Sequence, residues 1–234
     1  MKSLLPRIDP GAESGEDIHV STAALESRLT ALRERRRDIA AEISEKRNID
    51  LALDEASLLV DLERPAEAYE IARQSFQSAV NEKSWDQAVL ASDILYNCGL
   101  DDALVALGHG VWLSVTFPVD PELTLTMLNH IVEETPNDSD GAAVAAATAA
   151  YVVDLRVEGK KHQDLSFFAM QLLGTVARRH GDVDCQDDFD AWTERLELTD
   201  PDKFLVRLRN IVDVLVQDDW WLDRDHLRDE LPMH

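Results

Sequence analysis

The densest group of side chains that could bind a metal is the segment HGDVDCQDDFDAW, residues 180–192, with one His, one Cys and five Asp. A calcium loop needs oxygen ligands at positions 1, 3 and 5, glycine at position 6 and a bidentate glutamate at position 12. Counted from Asp182, position 6 is Asp187 and position 12 is Thr193. The segment therefore lacks both the turn and the bidentate ligand of a calcium loop.

The same segment also falls short of a zinc site, because His180 and Cys185 are too few Cys and His ligands for one. A simpler interpretation is that one helix ends at Gly181 and another begins soon after it. Aspartates in the first turn of a helix are stabilised by the helix dipole. We therefore predict a helix start here, and weak binding of a divalent cation to residues 182–190 stays open.

Other patterns typical of catalysis are equally incomplete. His130 and Glu133 have the helical spacing of iron ligands, but a di-iron bundle needs a second such pair and further glutamates. The only other pair, Glu16 and His19, falls in a segment that we expect to be a mobile arm. The sequence has no Cys-x-x-Cys pair, nucleophile elbow, phosphate loop or His-Glu-x-x-His motif. We predict a protein that is not an enzyme, with no catalytic, metal-binding or cofactor-binding residue.

Charge is the strongest compositional feature, since 46 acidic residues against 23 basic ones give a formal net charge of −23. Nucleic acids and anionic membranes would repel such a chain, which favours a basic protein segment as the partner. Acidity that serves only solubility, or adaptation to salt, is an alternative. The first residues lack the apolar core of a signal peptide, and the apolar run at 142–153 is too short to span a bilayer. We therefore predict a cytoplasmic protein.

The elements that must position any site are expected to be helices. Alanine and leucine dominate the apolar residues, which make up 45 % of the chain, while Gly and Pro number only 9 and 8. We predict a flexible arm over residues 1–20 and a single all-helical domain over 21–234. Within this domain, residues 50–118 are expected to form two helical hairpins and residues 119–234 further helices.

A long amphipathic helix is predicted over residues 21–47, where Leu25, Leu29 and Leu32 begin a heptad stripe that also carries several arginines. The stripe could dock on the rest of the domain, with its arginines against acidic residues. Alternatively, it could form a homodimer through residues 21–47 or contact a nucleic acid, and the net charge argues against the last of these.

Capping signals mark the remaining helices. Asp120-Pro121 and Asp200-Pro201 each place an N-cap acid before a proline at the first helical position. Ser84 and Gln87 have the spacing of a capping box. With glycines as stop signals, the predicted helices cover 50–63, 65–81, 84–98, 101–115, 120–134, 140–158, 163–180, 186–197, 201–217 and 222–230. Alanines on nearly every side of the helix at 140–158 predict a central position in the domain.

An internal repeat appears when the chain is shifted by 35 residues, which aligns ASLLVDLERPAEAY at 56–69 with ASDILYNCGLDDAL at 91–104. Small residues recur where two helices must approach closely, and large residues recur one turn away. The paired positions are Ala56, Ser57, Leu59, Val60, Ala68 and Tyr69 with Ala91, Ser92, Ile94, Leu95, Ala103 and Leu104. Each unit is thus a helical hairpin with an apolar face that needs a neighbour.

These positions resemble a tetratricopeptide repeat, in which a small residue lies in the middle of helix A, a large apolar residue follows three positions later, and alanine opens helix B. Those places are taken by Ala56, Leu59 and Ala68, and by Ala91, Ile94 and Ala103. The resemblance covers residues 50–118; the family's early aromatic residue, its glycine and its closing proline are mostly missing. It implies a stack of hairpins with a concave groove that holds a peptide or helix.

The fold prediction is therefore all-α, a stack of helical hairpins that is either a tetratricopeptide-like α-solenoid or an irregular helical bundle, with a long N-terminal helix. We predict an adaptor or assembly chaperone that binds a basic segment in an acidic groove, steered by Asp86, Asp93, Asp101 and Asp102. An acidic inhibitor of a basic enzyme and a helical-bundle enzyme are the alternatives. Trp220 and Trp221 either close the end of the stack or contact the partner.

Overall fold

The computed structural model describes residues 15–39 and 44–229. This part of the chain contains eleven α-helices and no β-strand, which confirms the all-α prediction. The helices, in chain order, are α1 Gly15–Ile39, α2 Glu45–Asp61, α3 Pro65–Asn81, α4 Trp85–Asn97, α5 Ala103–Thr116, α6 Pro121–Glu134, α7 Gly141–Arg156, α8 Gly159–Gly181, α9 Gln186–Arg195, α10 Pro201–Val216 and α11 Arg224–Asp229.

The N-terminal region differs from its prediction at both ends. Helix α1 already begins at Gly15, within the segment that was expected to be an arm, while residues 1–14 lie outside the described residues. The predicted helix over 21–47 is instead two helices, since α1 ends at Ile39 and α2 begins at Glu45. Ser44 starts the second helix, because its side-chain oxygen accepts a hydrogen bond from the backbone N–H of Arg47.

The acid-proline signals are confirmed and the capping box is not. Asp120 and Asp200 each accept a hydrogen bond from the backbone N–H two residues later. Ser84 makes no side-chain cap. The partner expected for it, Gln87, instead donates to the backbone oxygen of Lys46, with its side chain buried against α2. The Gln87 side chain is therefore turned toward α2, where its Nε2 donates, and its Oε1 does not accept the backbone N–H of Ser84.

Successive helices pack against one another from α2 to α8, and α1 packs on α2. Helix α4 also contacts α2, and α6 contacts α4 and α8, so the even-numbered helices from α2 to α8 form one side of the molecule. Helix α10 returns from far along the chain and lies against both α5 and α7. It thereby covers part of the other side.

Small residues allow these close approaches. Every residue from Ala142 to Ala149 in α7 is buried, which confirms the predicted central helix. A Cβ added at Gly108 would come within 2.4 Å of Val216 on α10, and one added at Gly110 would come within 2.4 Å of Met127 on α6. Both glycines of the Gly-His-Gly segment in α5 are thus required by neighbouring helices.

Arginines from later helices satisfy the free carbonyl groups at earlier helix ends. Arg156 in α7 donates to the carbonyl oxygens of Ser114 and Val115 at 2.7 and 2.8 Å, and burial lowers its pKa. Arg179 in α8 donates to the carbonyl oxygen of Val132 at 2.7 Å. Such contacts stabilise the C-terminal ends of α5 and α6, because the helix dipole attracts cations there. In the described part of the chain, no helix has both the length and the apolar character needed to cross a membrane.

Candidate protein-binding groove

An open groove of about 650 Å³ lies where α1, α2 and α4 meet, and we call it the α1–α4 groove. Its lining residues are Arg28, Ala31, Leu32 and Arg35 from α1, Leu53, Asp54, Ser57 and Leu58 from α2, and Leu90 and Ile94 from α4. The groove exists because α1 docks along α2 through Leu29, which is only 1 % exposed, while α4 contacts α2 from another direction.

The surface of the α1–α4 groove is largely apolar. Leu53, Leu58 and Ile94 are buried and form its base. Leu90 is 39 % exposed, so a large apolar side chain faces solvent in the middle of α4. Exposed apolar surface that lies in a concave site and is bordered by polar groups is typical of a contact with another protein.

Charges of both signs border this apolar surface. Arg28 and Arg35 stand on the α1 wall and Asp54 on the α2 wall. None of the three makes an ion pair within the described residues, although the neighbouring Arg33 and Arg36 both pair with the buried Glu55 at 2.7 and 3.0 Å. The groove is therefore mixed in charge, whereas the sequence predicted an acidic one.

Two of the four predicted acids lie on the same side of α4 as Leu90. Asp86 precedes Leu90 by one turn, and Asp93 follows it by nearly one turn. Both already have partners: Asp86 accepts a hydrogen bond from the backbone N–H of Asp120 at 2.8 Å, and Asp93 accepts one from His130 Nε2 at 2.8 Å. Neither acid lines the α1–α4 groove; both link α4 to the region of α6.

His130 is held between carboxylates from two helices. Its Nε2 faces Asp93, and its Nδ1 lies 3.4 Å from a carboxylate oxygen of Glu133. Burial acts to lower the pKa of His130, but hydrogen bonds and charges from Asp93 and Glu133 outweigh burial and raise it. Tyr96 packs on the imidazole with its ring centre 4.5 Å away. The cluster therefore favours a charged imidazole that ties α6 to α4.

The other two predicted acids lie beyond the opposite end of α4, in the turn to α5. Asp102 accepts a hydrogen bond from the Tyr69 hydroxyl at 2.5 Å. Burial, followed by this bond, raises the pKa of Tyr69 to about 12. Asp101 is exposed in the same turn. The four acids are thus not brought together, and neither Asp101 nor Asp102 lines the α1–α4 groove.

Trp220 and Trp221 are both half-buried in the non-helical segment between α10 and α11. The Trp221 ring stacks on His109 with centres 4.5 Å apart, and the Trp220 ring packs edge-on against Trp112 at 5.9 Å. Arginines cover their outer faces, since Arg73 and Arg224 each lie 4.0 Å from a tryptophan ring centre. The pair closes the side of the molecule formed by α3 and α5, and a partner contact through it stays a prediction.

His109 anchors this C-terminal segment. Its ring is fully buried, Nδ1 lies 2.8 Å from the carbonyl oxygen of Val105, and Nε2 accepts the backbone N–H of Trp221 at 2.9 Å. The ring is thus neutral, with its proton on Nδ1. Burial lowers the pKa of His109 to about 4.

The aspartate-rich segment at 180–192 proves to be a helix end, a turn and a helix start. Asp182 follows α8 in the left-handed conformation, and Asp187 and Asp188 lie in the first turn of α9, which confirms the predicted helix start. Gly181 is in close contact with Trp192. Among the described residues, there is no group of three or more His, Cys, Asp or Glu side chains placed to hold a metal ion.

The fold and the groove define an all-α protein built from paired helices with an open, partly apolar surface. Comparison of the chain with protein-family models, curated proteins and solved structures finds no match. The resemblance to tetratricopeptide repeats therefore stays a prediction.

Sequence reasoning did not find the residues that form the groove walls. Arg28 and Arg35 are two of the several arginines on the predicted N-terminal helix, and neither Asp54 nor Leu90 entered any prediction. One signal was available: Leu90 lies between Asp86 and Asp93 on a single helical face, so one apolar side chain interrupts an otherwise polar stripe.

Proposed function

We propose that the protein is a non-enzymatic adaptor or assembly chaperone that holds an amphipathic helix of a partner protein in the α1–α4 groove. The observation that carries this proposal is the exposed Leu90 over a buried leucine and isoleucine base, between walls of opposite charge. An amphipathic helix that buries its apolar face in such a groove gains most of its affinity from two or three anchors.

The charges specify the orientation of the partner. Basic residues of the bound helix would face Asp54, and acidic residues would face Arg28 and Arg35. Because Arg28, Arg35 and Asp54 have no ion-pair partner in the described chain, a ligand can pair with them without displacing an internal contact. These charges mainly raise the association rate and set the register, while the apolar anchors set the lifetime of the complex.

Peptide display on the immobilised chain tests this proposal. We expect enriched peptides with apolar residues at helical spacing, flanked by basic residues on one side and acidic residues on the other. Substitution Leu90→Asp should weaken their binding by about tenfold or more, since it places a charge against the apolar anchors. The change falls on a side chain that is 39 % exposed, so the fold should be retained, and far-UV circular dichroism checks this.

Val214→Asp is the matched control, because Val214 is 72 % exposed on α10 and does not line the groove. It should leave peptide affinity unchanged. Equal binding to the Leu90→Asp variant would overturn the groove as the site. Competition of the same peptides with DNA or RNA would instead support a nucleic-acid mimic that inhibits a basic enzyme.

A further inference from the structure

Helix α8 presents an apolar face that no other described element covers. Its opposite face packs into the domain through Leu165, Ala169, Leu173, Val176 and Ala177, which are all buried. The outer face carries three large apolar side chains that are 61, 41 and 50 % exposed, namely Phe167, Phe168 and Met170. A stack of helices normally ends in a polar surface, so this face resembles an interior surface that lacks its neighbour.

Charges along the same face alternate in an ordered way. Lys160, Asp164, Gln171 and Arg178 lie on one line, because separations of 7 and 11 residues are close to two and three helical turns. Asp182 follows at the C-terminal end of the helix. Within the described chain, none of the four charged residues makes an ion pair, so each is available to a partner.

This pattern of charges matches itself if the α8 helices of two copies lie antiparallel and cross at Gln171. Asp164 and Arg178 each lie seven residues from Gln171, so each would meet the other on the second copy. Lys160 and Asp182 each lie eleven residues away and would also pair. A two-fold symmetric contact requires this kind of reciprocity, in which every bridge occurs twice.

Shape follows the same symmetry. Phe167, four residues before Gln171, and Gly174, three residues after it, lie on the same side of the line through Gln171, so the phenylalanine of one copy would lie beside the glycine of the other. A Cβ added at Gly174 would meet only the guanidinium of Arg178, at 3.6 Å or more, so only that flexible group covers the surface there. A large side chain beside a glycine, repeated twice, is how two helices interdigitate.

From this reciprocity we infer that the protein forms a homodimer through α8, with two copies packed antiparallel about Gln171. This interface differs from the predicted dimer through residues 21–47, and it leaves the α1–α4 groove, which is formed by other helices, open. The two proposals can therefore fail separately.

Charge exchange tests the inference in the full chain by sedimentation equilibrium, where one chain has a mass of 26.3 kDa and a dimer twice that. Asp164→Arg or Arg178→Asp alone should raise the dimer dissociation constant by about tenfold or more, because each places two pairs of like charges in the interface. The double variant D164R/R178D should restore it. Residues 164 and 178 are 14 positions apart on one helix and cannot touch each other within a chain, so the recovery must be intermolecular.

Crosslinking provides a second, independent readout. Gln171→Cys, in a Cys185→Ser background because Cys185 is exposed, should form a disulfide between two copies at the symmetry axis. Gln163→Cys is the matched control, since it is also exposed on α8 but would lie ~24 Å from its own copy at 1.5 Å per residue. A monomer at all accessible concentrations, equal crosslinking of the two cysteine variants, or no recovery in the double variant would each overturn the inference.

Discussion

His109 shows how one side chain joins segments that are far apart in sequence. It lies in α5, yet its Nε2 accepts the backbone N–H of Trp221, which is 112 residues away. Protonation of Nε2 would remove the acceptor and place a second donor against that N–H. It would also add a positive charge near Arg73 and Arg224. The neutral ring is therefore a condition for the C-terminal segment to lie where it does.

This arrangement makes stability depend on pH in a definite direction. The pKa of His109 is lowered from 6.5 to about 4 in the folded protein, so between these values the unfolded state binds more protons. The free energy of unfolding should fall as the pH is lowered through this window. At ~1.4 kcal/mol per pKa unit, the loss is about 3 kcal/mol.

Urea unfolding at several pH values measures this effect. His109→Gln keeps an acceptor but does not titrate, so the difference in unfolding free energy between the native chain and the variant should shrink as the pH falls from 7 to 4. Contributions from carboxylates cancel in that difference. Parallel pH profiles for the two proteins would contradict the role given to His109.

At the scale of elements, α1 is held on α2 by one buried carboxylate. Glu55 on α2 is 6 % exposed and accepts hydrogen bonds from Arg33 and Arg36 on α1. Leu29, also on α1, is buried. The docked helix is the wall of the α1–α4 groove that carries Arg28 and Arg35. Any loss of docking should therefore also open or remove the groove.

Glu55→Gln should lower the free energy of unfolding by about 1–3 kcal/mol, because it weakens two hydrogen bonds to charged groups at a buried site. It should also speed amide hydrogen exchange within residues 22–38 of α1. Glu67→Gln is the control, since Glu67 is exposed and also meets Arg33, at 3.6 Å. It should leave the free energy of unfolding nearly unchanged, because solvent screens an exposed ion pair. Equal effects of both changes would show that burial of Glu55 contributes nothing.

At the scale of the whole molecule, α10 makes the fold more than a row of neighbouring hairpins. It reaches back across the chain to α5 and α7, with Phe204, Leu208, Val212 and Val216 buried. Gly108 on α5 is in close contact with Val216, which fixes how near the two helices lie. Contacts of this kind couple the stability of distant segments.

We therefore expect a single unfolding transition rather than separate transitions for different hairpins. Leu208→Ala in α10 and Leu59→Ala in α2 should each cost about 2–5 kcal/mol, since both side chains are buried. In each variant, the midpoint of denaturant unfolding should fall by the same amount whether it is measured by tryptophan fluorescence or by far-UV circular dichroism. Curves from the two probes that separate in either variant would indicate independent units.

Much of the helical organisation was predictable because its signals are local. Asp120 and Asp200 cap their helices through N–H groups two residues away, and proline fixes the next residue in either case. Ala142–Ala149 predicted a central helix because a surface helix has no need of small residues on every side. The capping box at Ser84 did not form, because the Gln87 side chain turns toward α2, a contact that no local signal specifies.

The candidate site was only partly predictable. Asp86 and Asp93 lie on the same side of α4 as Leu90 but do not line the α1–α4 groove, while Asp101 and Asp102 lie in the turn from α4 to α5 and the tryptophans pack on α5. Where a groove lies depends on which helix faces come together, and a repeat pattern alone does not specify this.

The sequence by itself determined that the chain is helical, where most helices begin, and which helix lies at the centre. These properties follow from hydrogen bonds and side-chain volumes within a few residues. Only the tertiary structure decided that Arg33 meets Glu55, that His130 meets Asp93 and that α8 keeps an open apolar face. Such pairings join residues from separate helices, and their geometry exists only once packing has fixed the distance and rotation of each helix.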